Sequence, residues 1–316
     1  MKLNSKLGLA LAIFIAVIVA LCVFMIIFMP RERFHIGFFG FAKLRHTTNL
    51  NVDNKTTLDI TAYSDNLYFQ RSSSDELIIK EYYASSTKKA SIHNDGQTVT
   101  FRGEHHINMM VFGAINEKIV VYLPQNFSGN IRVSLSSGTI KSDLDFVAEN
   151  LTFEATSGTI NLRKLTAGNI NVKASSGSIK LDEVIGNAMV KVSSGTVRIN
   201  RLVGLAEVDA SSGGIRVMDI KGGISARASS GTVKLDVTEL LADVNAATTS
   251  GSINIKLPMN SNFNFSAETT SGTIRTNFDK NLSFNSRKNT ANGAVGSNPV
   301  HNVTARASSG SVRVDN

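Results

Sequence analysis

The sequence predicts an all-β protein, a β-solenoid of coils about 18–21 residues long, preceded by one N-terminal transmembrane helix. Three observations predict it. A Ser-Gly step recurs nine times at nearly constant spacing. Apolar residues alternate on both sides of each step and change parity across it. A run of 23 residues without a charge lies close to the N-terminus.

The elements follow in chain order. Residues 1–6 are a short tail carrying Lys2 and Lys6. Residues 7–29, "LGLALAIFIAVIVALCVFMIIFM", contain no strongly polar side chain. At about 1.5 Å per residue, a helix of this length crosses a hydrocarbon core of roughly 30 Å. A cleaved signal peptide has a shorter apolar region and a small-residue cleavage site, and no A-x-A step follows this run. Cys22 is the single cysteine, so no intramolecular disulfide forms. Lipidation of Cys22 is disfavoured by Leu21, where a small residue is expected, and by the apolar residues that continue to Met29.

Residues 30–45 are read as a juxtamembrane linker. Its Arg31, Arg33, Lys43 and Arg45 nearly balance Lys2, Lys6 and the amino terminus across the span. An N-in orientation with the bulk outside the cytoplasm is expected, because long C-terminal domains translocate largely regardless of charge. "FHIGFFGF" (34–41) suits a membrane interface or a buried first segment equally.

Residues 46–130 read as irregular first coils. "TLDITA" (57–62), "ELIIK" (76–80), "QTVTF" (97–101) and "KIVVYLP" (118–124) are strand-like, and "HNDG" (93–96) is a turn. Residues 131–316 hold the regular repeats, with "DKNLSFNSRKNTANGAVGSNP" (279–299) as a loop insertion. The steps are Ser137-Gly138, Ser157-Gly158, Ser176-Gly177, Ser194-Gly195, Ser212-Gly213, Ser230-Gly231, Ser250-Gly251, Ser271-Gly272 and Ser309-Gly310. Successive spacings are 20, 19, 18, 18, 18, 20, 21 and 38 residues, the last close to two repeats.

Parity fixes the role of the step. Ile170, Val172 and Ala174 are even, whereas Ile179 and Leu181 beyond Gly177 are odd. A straight strand cannot make that change, since a shift of one residue turns every side chain to the other face. Each Ser-Gly is therefore a corner, with glycine supplying φ > 0 and small hydroxyl residues letting coils stack. A β-sandwich is the alternative, but it has no need of an identical step at so regular a period.

Chemistry is sparse. The Ser column invites a nucleophile, which needs a base within hydrogen-bond reach. Histidine occurs only at 35, 46, 93, 105, 106 and 301, outside the regular coils, and no G-x-S-x-G or phosphate-binding loop is present. Glu104, His105 and His106 in "GEHH" suggest a metal, but neighbouring strand residues point to opposite faces. Carboxylates are scattered, without the close pair that glycan hydrolysis requires. No enzyme activity, cofactor or metal is expected.

One pattern remains. Three residues after each glycine stand Lys141, Asn161, Lys180, Arg198, Arg216, Lys234, Asn254, Arg275 and Arg313. Their parity is outward, so stacking makes Lys141, Lys180, Arg198, Arg216, Lys234, Arg275 and Arg313 a basic column. Outward strand positions tolerate such residues, and charge discourages aggregation. Asp143, Asp182, Asp236 and Asp315, two residues further on, neutralise part of it. The alternative is a docking strip for an anionic envelope polymer or lipid headgroups, in keeping with a net charge of +8. Val312 and Val314 end the chain with no capping segment after them, which suggests self-association through an uncapped C-terminal coil.

The recurrent T/S-S-G-T/S-I/V steps, the segment "KIVVYLPQNFSGNIRVSLSSGTI" (118–140) and the closing "VTARASSGSVRV" (303–314) resemble the bacterial "putative adhesin" family, a domain of unknown function built of β-strand repeats. The resemblance covers roughly residues 46–316 and implies no catalytic residues. It permits a membrane-anchored envelope-stress protein of the LiaG or LiaX kind. The expected function is a non-enzymatic, membrane-anchored extracytoplasmic adhesin or envelope interaction scaffold, binding polymer, lipid or an envelope protein and not nucleic acid. A regulatory component of an envelope-stress response, a bactofilin-like self-assembling scaffold and a glycan-active enzyme are the alternatives.

Overall fold

Segments that bury every second side chain need an apolar layer against that side. Here the layers come from the chain's own winding. The computed structural model describes residues 42–63, 65–84, 87–104, 116–278 and 282–316. These residues are all-β, and the parallel rungs between successive coils make the architecture β-solenoid-like. Among them no helix is long and apolar enough to cross a membrane. The expected span at 7–29 with Cys22, and the stretch 34–41, lie outside the described residues.

Each coil has three faces. In the coil through Gly195, Ile179 and Leu181 point inward from the first face, Val184 from the second, and Ala188, Val190 and Val192 from the third. The regular coils run through β8 (Ile131–Ser212), β9 (Ile215–Ser230), β10 (Val233–Ser250) and β11 (Ile253–Lys256). Their rungs stack like on like: Val197 against Ile215, Ile215 against Val233, Val233 against Ile253. Each inward aliphatic side chain buried between neighbours contributes about 1.5–3 kcal/mol. No aromatic residue occurs between Phe153 and Phe263. Aromatics pack toward the two ends instead, with Phe69 edge-on to Phe146 at 5.3 Å and Phe263 edge-on to Phe278 at 5.4 Å.

The parity switch is a glycine corner. Gly231 has φ +128°, and a Cβ there would lie 2.0 Å from the carbonyl oxygen of Gly213 in the coil beneath. No side chain fits between coils at that approach. A second glycine column stands at the corner between the second and third faces, where Gly186, Gly204 and Gly222 have φ of +126°, +122° and +143°. Its members fall nine residues after Gly177, Gly195 and Gly213.

The order of coils in space differs from their order in the chain. β2 (Thr57–Ala62) and β3 (Asn66–Arg71) form one coil. It lies between the start of β8 and a coil made by β6 (Thr98–Arg102) and β7 (Lys118–Leu123), with parallel rungs on both sides. Antiparallel strands close this end: β4 (Leu77–Tyr83) lies on β7, β1 (Lys43–Leu50) on β4, and β5 (Ser91–Asn94) on β6. β1 thus starts within the stretch read as linker.

The other end repeats the arrangement. β16 (His301–Ser309) and β17 (Val312–Asp315) do not form the end of the stack. They lie between β10–β11 on one side and β12 (Phe263–Ser271) and β13 (Ile274–Thr276) on the other. Residues 279–299, read as a loop, carry the cap: β15 (Thr290–Val295) pairs antiparallel with β12, and β14 (Leu282–Phe284) with β15. The C-terminal coil is therefore interior and covered, contrary to the expectation of an open end. Val312 belongs to a repeat, as expected, but its neighbours are chosen by a chain that doubles back.

Candidate functional site

On the first face, inward residues such as Ile215 and Val217 bracket one outward position, so the rungs place that position in a single ladder. The ladder carries the predicted basic column. Arg198 lies opposite Arg216, Arg216 opposite Lys234, Lys234 opposite Asn254, Asn254 opposite Arg313, and Arg313 opposite Arg275. Lys141 follows Tyr68 at the other end. Lys141, Lys180, Arg198, Arg216, Lys234, Arg313 and Arg275 are all exposed. Arg313 precedes Arg275 because the C-terminal coil is inserted.

Neutralisation is less complete than the sequence suggests. Lys180 pairs with Asp182 at 3.6 Å, and Arg313 pairs with Asp315. The Arg198 Nε donates to Asn200 at 2.9 Å, and it is Asn200 that donates on to Asp182. Among the described residues Arg198, Arg216 and Lys234 have no carboxylate in ion-pair contact. Three cations thus stand on successive rungs, about 4.8 Å apart. Each adjacent pair repels by about 1 kcal/mol in water.

The rest of the surface behaves differently. On the third face, Lys173 pairs with Glu154 at 3.3 Å, Lys191 with Asp209 at 3.3 Å, and Arg227 with Glu207 at 2.7 Å. At the corner after the first face, Arg163 meets Asp145 at 2.7 Å, and Arg201 lies between Glu183 and Asp219 at 3.3 and 3.6 Å. Among the described residues, Arg198, Arg216 and Lys234 of the first face stand on three successive rungs with no carboxylate in ion-pair contact, whereas these cations of the other faces are matched.

Beside the cations runs a hydroxyl ladder. The residue after each corner glycine is Thr139, Thr159, Ser178, Thr196, Thr232, Ser252, Thr273 or Ser311, with Gly214 the exception. It lies two positions before the cation on the same strand, hence on the same side. Adjacent members touch: Thr159 and Ser178 are 3.4 Å apart, Ser252 and Ser311 3.2 Å. Donor hydroxyls and cations side by side suit the oxygens of an anionic chain laid along the axis. Among the described residues no histidine is in hydrogen-bond contact with a member of this ladder. His301, which opens β16, is eight residues along the strand from Ser309. His105 and His106 of the "GEHH" motif lie outside the described residues. Among the described residues no group of three metal-ligating side chains occurs.

Two further features escaped the sequence reading. An asparagine ladder follows the edge between the second and third faces. The Asn150 N–H donates to Asn130 at 2.8 Å, and Asn169 donates to Asn150 at 3.0 Å. The ladder resumes where Asn302 donates to Asp243 at 2.8 and 3.1 Å. Between the two parts, Leu205 and Gly223 replace asparagine, and a groove of about 860 Å³ opens beside Met189, Leu205 and Leu241. The second feature is a buried charge cluster in the N-terminal cap. The Lys88 Nζ donates to Asp65 and to Glu117, both at 2.8 Å, and sits 4.3 Å above the Tyr83 ring. The Asp65 carbonyl lies beneath Gly138, so this cluster seats the end of the glycine column. Burial, then Asp65 and Glu81, push the Tyr83 hydroxyl far above its ordinary range.

The family model described as Toastrack DUF4097 matches residues 55–315. No curated protein matches the chain. Among solved structures it is similar to a "putative adhesin" from Bacteroides fragilis, at 16% identity over 85% of this chain and 96% of that one, with a TM-score of 0.41. A "putative cell adhesion protein" from Clostridium sporogenes matches at 12% identity over 85% and 98%, TM-score 0.32. A "putative lipid binding protein" from Parabacteroides distasonis matches at 12% identity over 85% and 96%, TM-score 0.37.

Proposed function

The chain belongs to the Toastrack DUF4097 family, and from that premise we propose that it is a non-enzymatic, membrane-anchored binding protein whose first face holds an anionic polymer of the cell envelope. Residues 7–29 supply the anchor, and the solenoid stands on the extracytoplasmic side. An adhesin or envelope scaffold needs a long, rigid, repetitive surface rather than a closed pocket, and stacked rungs provide one. The observation that carries the reading is the run Arg198, Arg216, Lys234, on successive rungs and without carboxylates in ion-pair contact among the described residues, while Lys173, Lys191 and Arg227 on the third face are paired. A polyanion relieves their mutual repulsion and finds hydroxyl donors alongside. A role in envelope-stress signalling of the LiaG or LiaX kind is compatible with such a ligand.

The test uses the full chain in detergent and poly(glycerol phosphate) as probe, titrated at rising salt. Binding should weaken as the Debye length falls from about 10 Å at 0.1 M toward about 3 Å at 1 M. The triple substitution Arg198→Glu, Arg216→Glu and Lys234→Glu should weaken it at least tenfold, whereas Lys173→Glu on the third face should change it less than twofold. Equal binding by the wild type and the triple variant overturns the proposal. Anionic vesicles run in parallel distinguish a lipid surface from the polymer.

A further inference from the structure

We propose that the C-terminal coil, residues 301–315, is an exchangeable element that docks into a second copy of this chain. This inference does not depend on the anionic ligand. The coil fills a slot whose two walls are made by residues that precede it. Val303 lies opposite Val244 on one wall and Phe265 on the other, and Val312 lies opposite Ile253 and Ile274. Bonds across both walls hold it: the Gly251 N–H donates to Ser309 and the Gly310 N–H to Ser271, each at 2.9 Å.

The slot accepts only a coil with a glycine corner. A Cβ at position 310 would lie 1.6 Å from the Gly251 carbonyl oxygen, and one at Gly272 would lie 1.9 Å from that of Gly310. The C-terminal coil of another copy meets every one of these conditions.

The connection permits the exchange. Between β15 and β16 stand only the residues 296–300, "GSNPV", with Gly296 at φ +87° and Val300 70% exposed. β15 and β16 flank the same strand, β12, so the linker crosses about 10 Å, two strand spacings. Five extended residues reach about 17 Å, more than the crossing requires, so the linker has slack to follow a displaced coil. Every rung that opens within one copy re-forms in the other, and reciprocal exchange closes a two-fold dimer. Chain order favours it too. Both walls are synthesised before residues 301–315, so the partner edges for the coil exist in the chain before the coil itself.

The test is disulfide trapping in the full chain with Cys22→Ser. Ser252 and Ser311 have their hydroxyl oxygens 3.2 Å apart across one wall. Copies carrying Ser252→Cys are co-expressed with copies carrying Ser311→Cys under different tags and then oxidised. A covalent dimer bearing both tags, at least tenfold above a Ser178→Cys and Ser311→Cys control, is the expected result. The pair Thr273→Cys and Ser311→Cys reads the opposite wall and should agree. An internal bridge in the Ser252→Cys, Ser311→Cys double variant, with only monomers from the mixed copies, overturns the proposal. Bridging no stronger than the control overturns it as well.

Discussion

The corner geometry makes a graded prediction for three Gly→Ala substitutions. At Gly231 two costs combine. With φ at +128°, a region nearly exclusive to glycine, alanine adds about 1–3 kcal/mol of backbone strain. Its Cβ would also sit 2.0 Å from the Gly213 carbonyl oxygen, where ordinary contact begins at 3.4 Å. The coils must part locally by the difference, 3.4 − 2.0 = 1.4 Å. That movement breaks the rungs from Gly213 N–H to Ser230 and from Ile215 N–H to Thr232, both 2.9 Å, at about 1 kcal/mol each. The sum is about 3–5 kcal/mol. Gly96 has φ +88° with open space around the added carbon, so Gly96→Ala carries strain alone, about 1–2 kcal/mol. Gly168 has no positive φ, and its tightest contact is 3.3 Å, so Gly168→Ala should be within about 0.5 kcal/mol of neutral. Urea denaturation of the full chain in detergent, followed by far-ultraviolet circular dichroism, ranks the three by midpoint. A Gly231→Ala midpoint no lower than that of Gly96→Ala would refute the claim that the coils touch through their corner glycines.

Two further outcomes follow from the N-terminal cap. Lys88→Met leaves the buried Asp65 and Glu117 carboxylates without their shared cation. It should cost about 3–5 kcal/mol, and adding Asp65→Asn and Glu117→Gln should restore much of the thermal midpoint. Tyr83 stays a neutral phenol in the folded chain, while the unfolded chain ionises it near its ordinary value of 10.0. Its folded-state pKa is raised, so its contribution is complete below pH about 10 and is lost as the pH climbs above that. Tyr83→Phe should flatten the fall in stability above pH 10, read as the thermal midpoint against pH.

The corners were legible in the sequence because they combine two rigid requirements, a conformation suited to glycine and a parity switch in the flanking alternation. Ile179 and Leu181 could point inward only if Gly177 turned the chain. The outward basic column followed from the same parity. Its pairing did not. Asp182 and Asp236 stand at equivalent places after Lys180 and Lys234, yet only Lys180 makes the contact, because side-chain rotamers and not register decide it. The order of coils was also hidden. A parallel rung offers the same backbone groups above and below, so nothing in "VTARASSGSVRV" distinguishes an end from an interior layer. The spacing of 38 residues before Gly310 was the trace of the doubling back, and "TANGAV" within it became β15 rather than a loop. The second glycine column had its own signal, nine residues after the first, in three consecutive coils. The asparagine ladder recurs as Asn130, Asn150, Asn169 and Asn187 at near-repeat spacing, but at positions whose outward parity hid them among ordinary polar residues.

Because the first coil, β2–β3, and the C-terminal coil, β16–β17, each lie between two other layers, tension on the protein meets different resistance at different strands. A pull from residue 42 first unzips β1, which pairs with β4 along a single edge. The coil of β2 and β3 comes next, and it is clamped on both sides by parallel rungs. Extracting it shears two ladders at once instead of peeling one. The C-terminal coil is gripped in the same way by β10 and β12. The fold is thus threaded like a strap through a buckle at each end, held by two ladders rather than one.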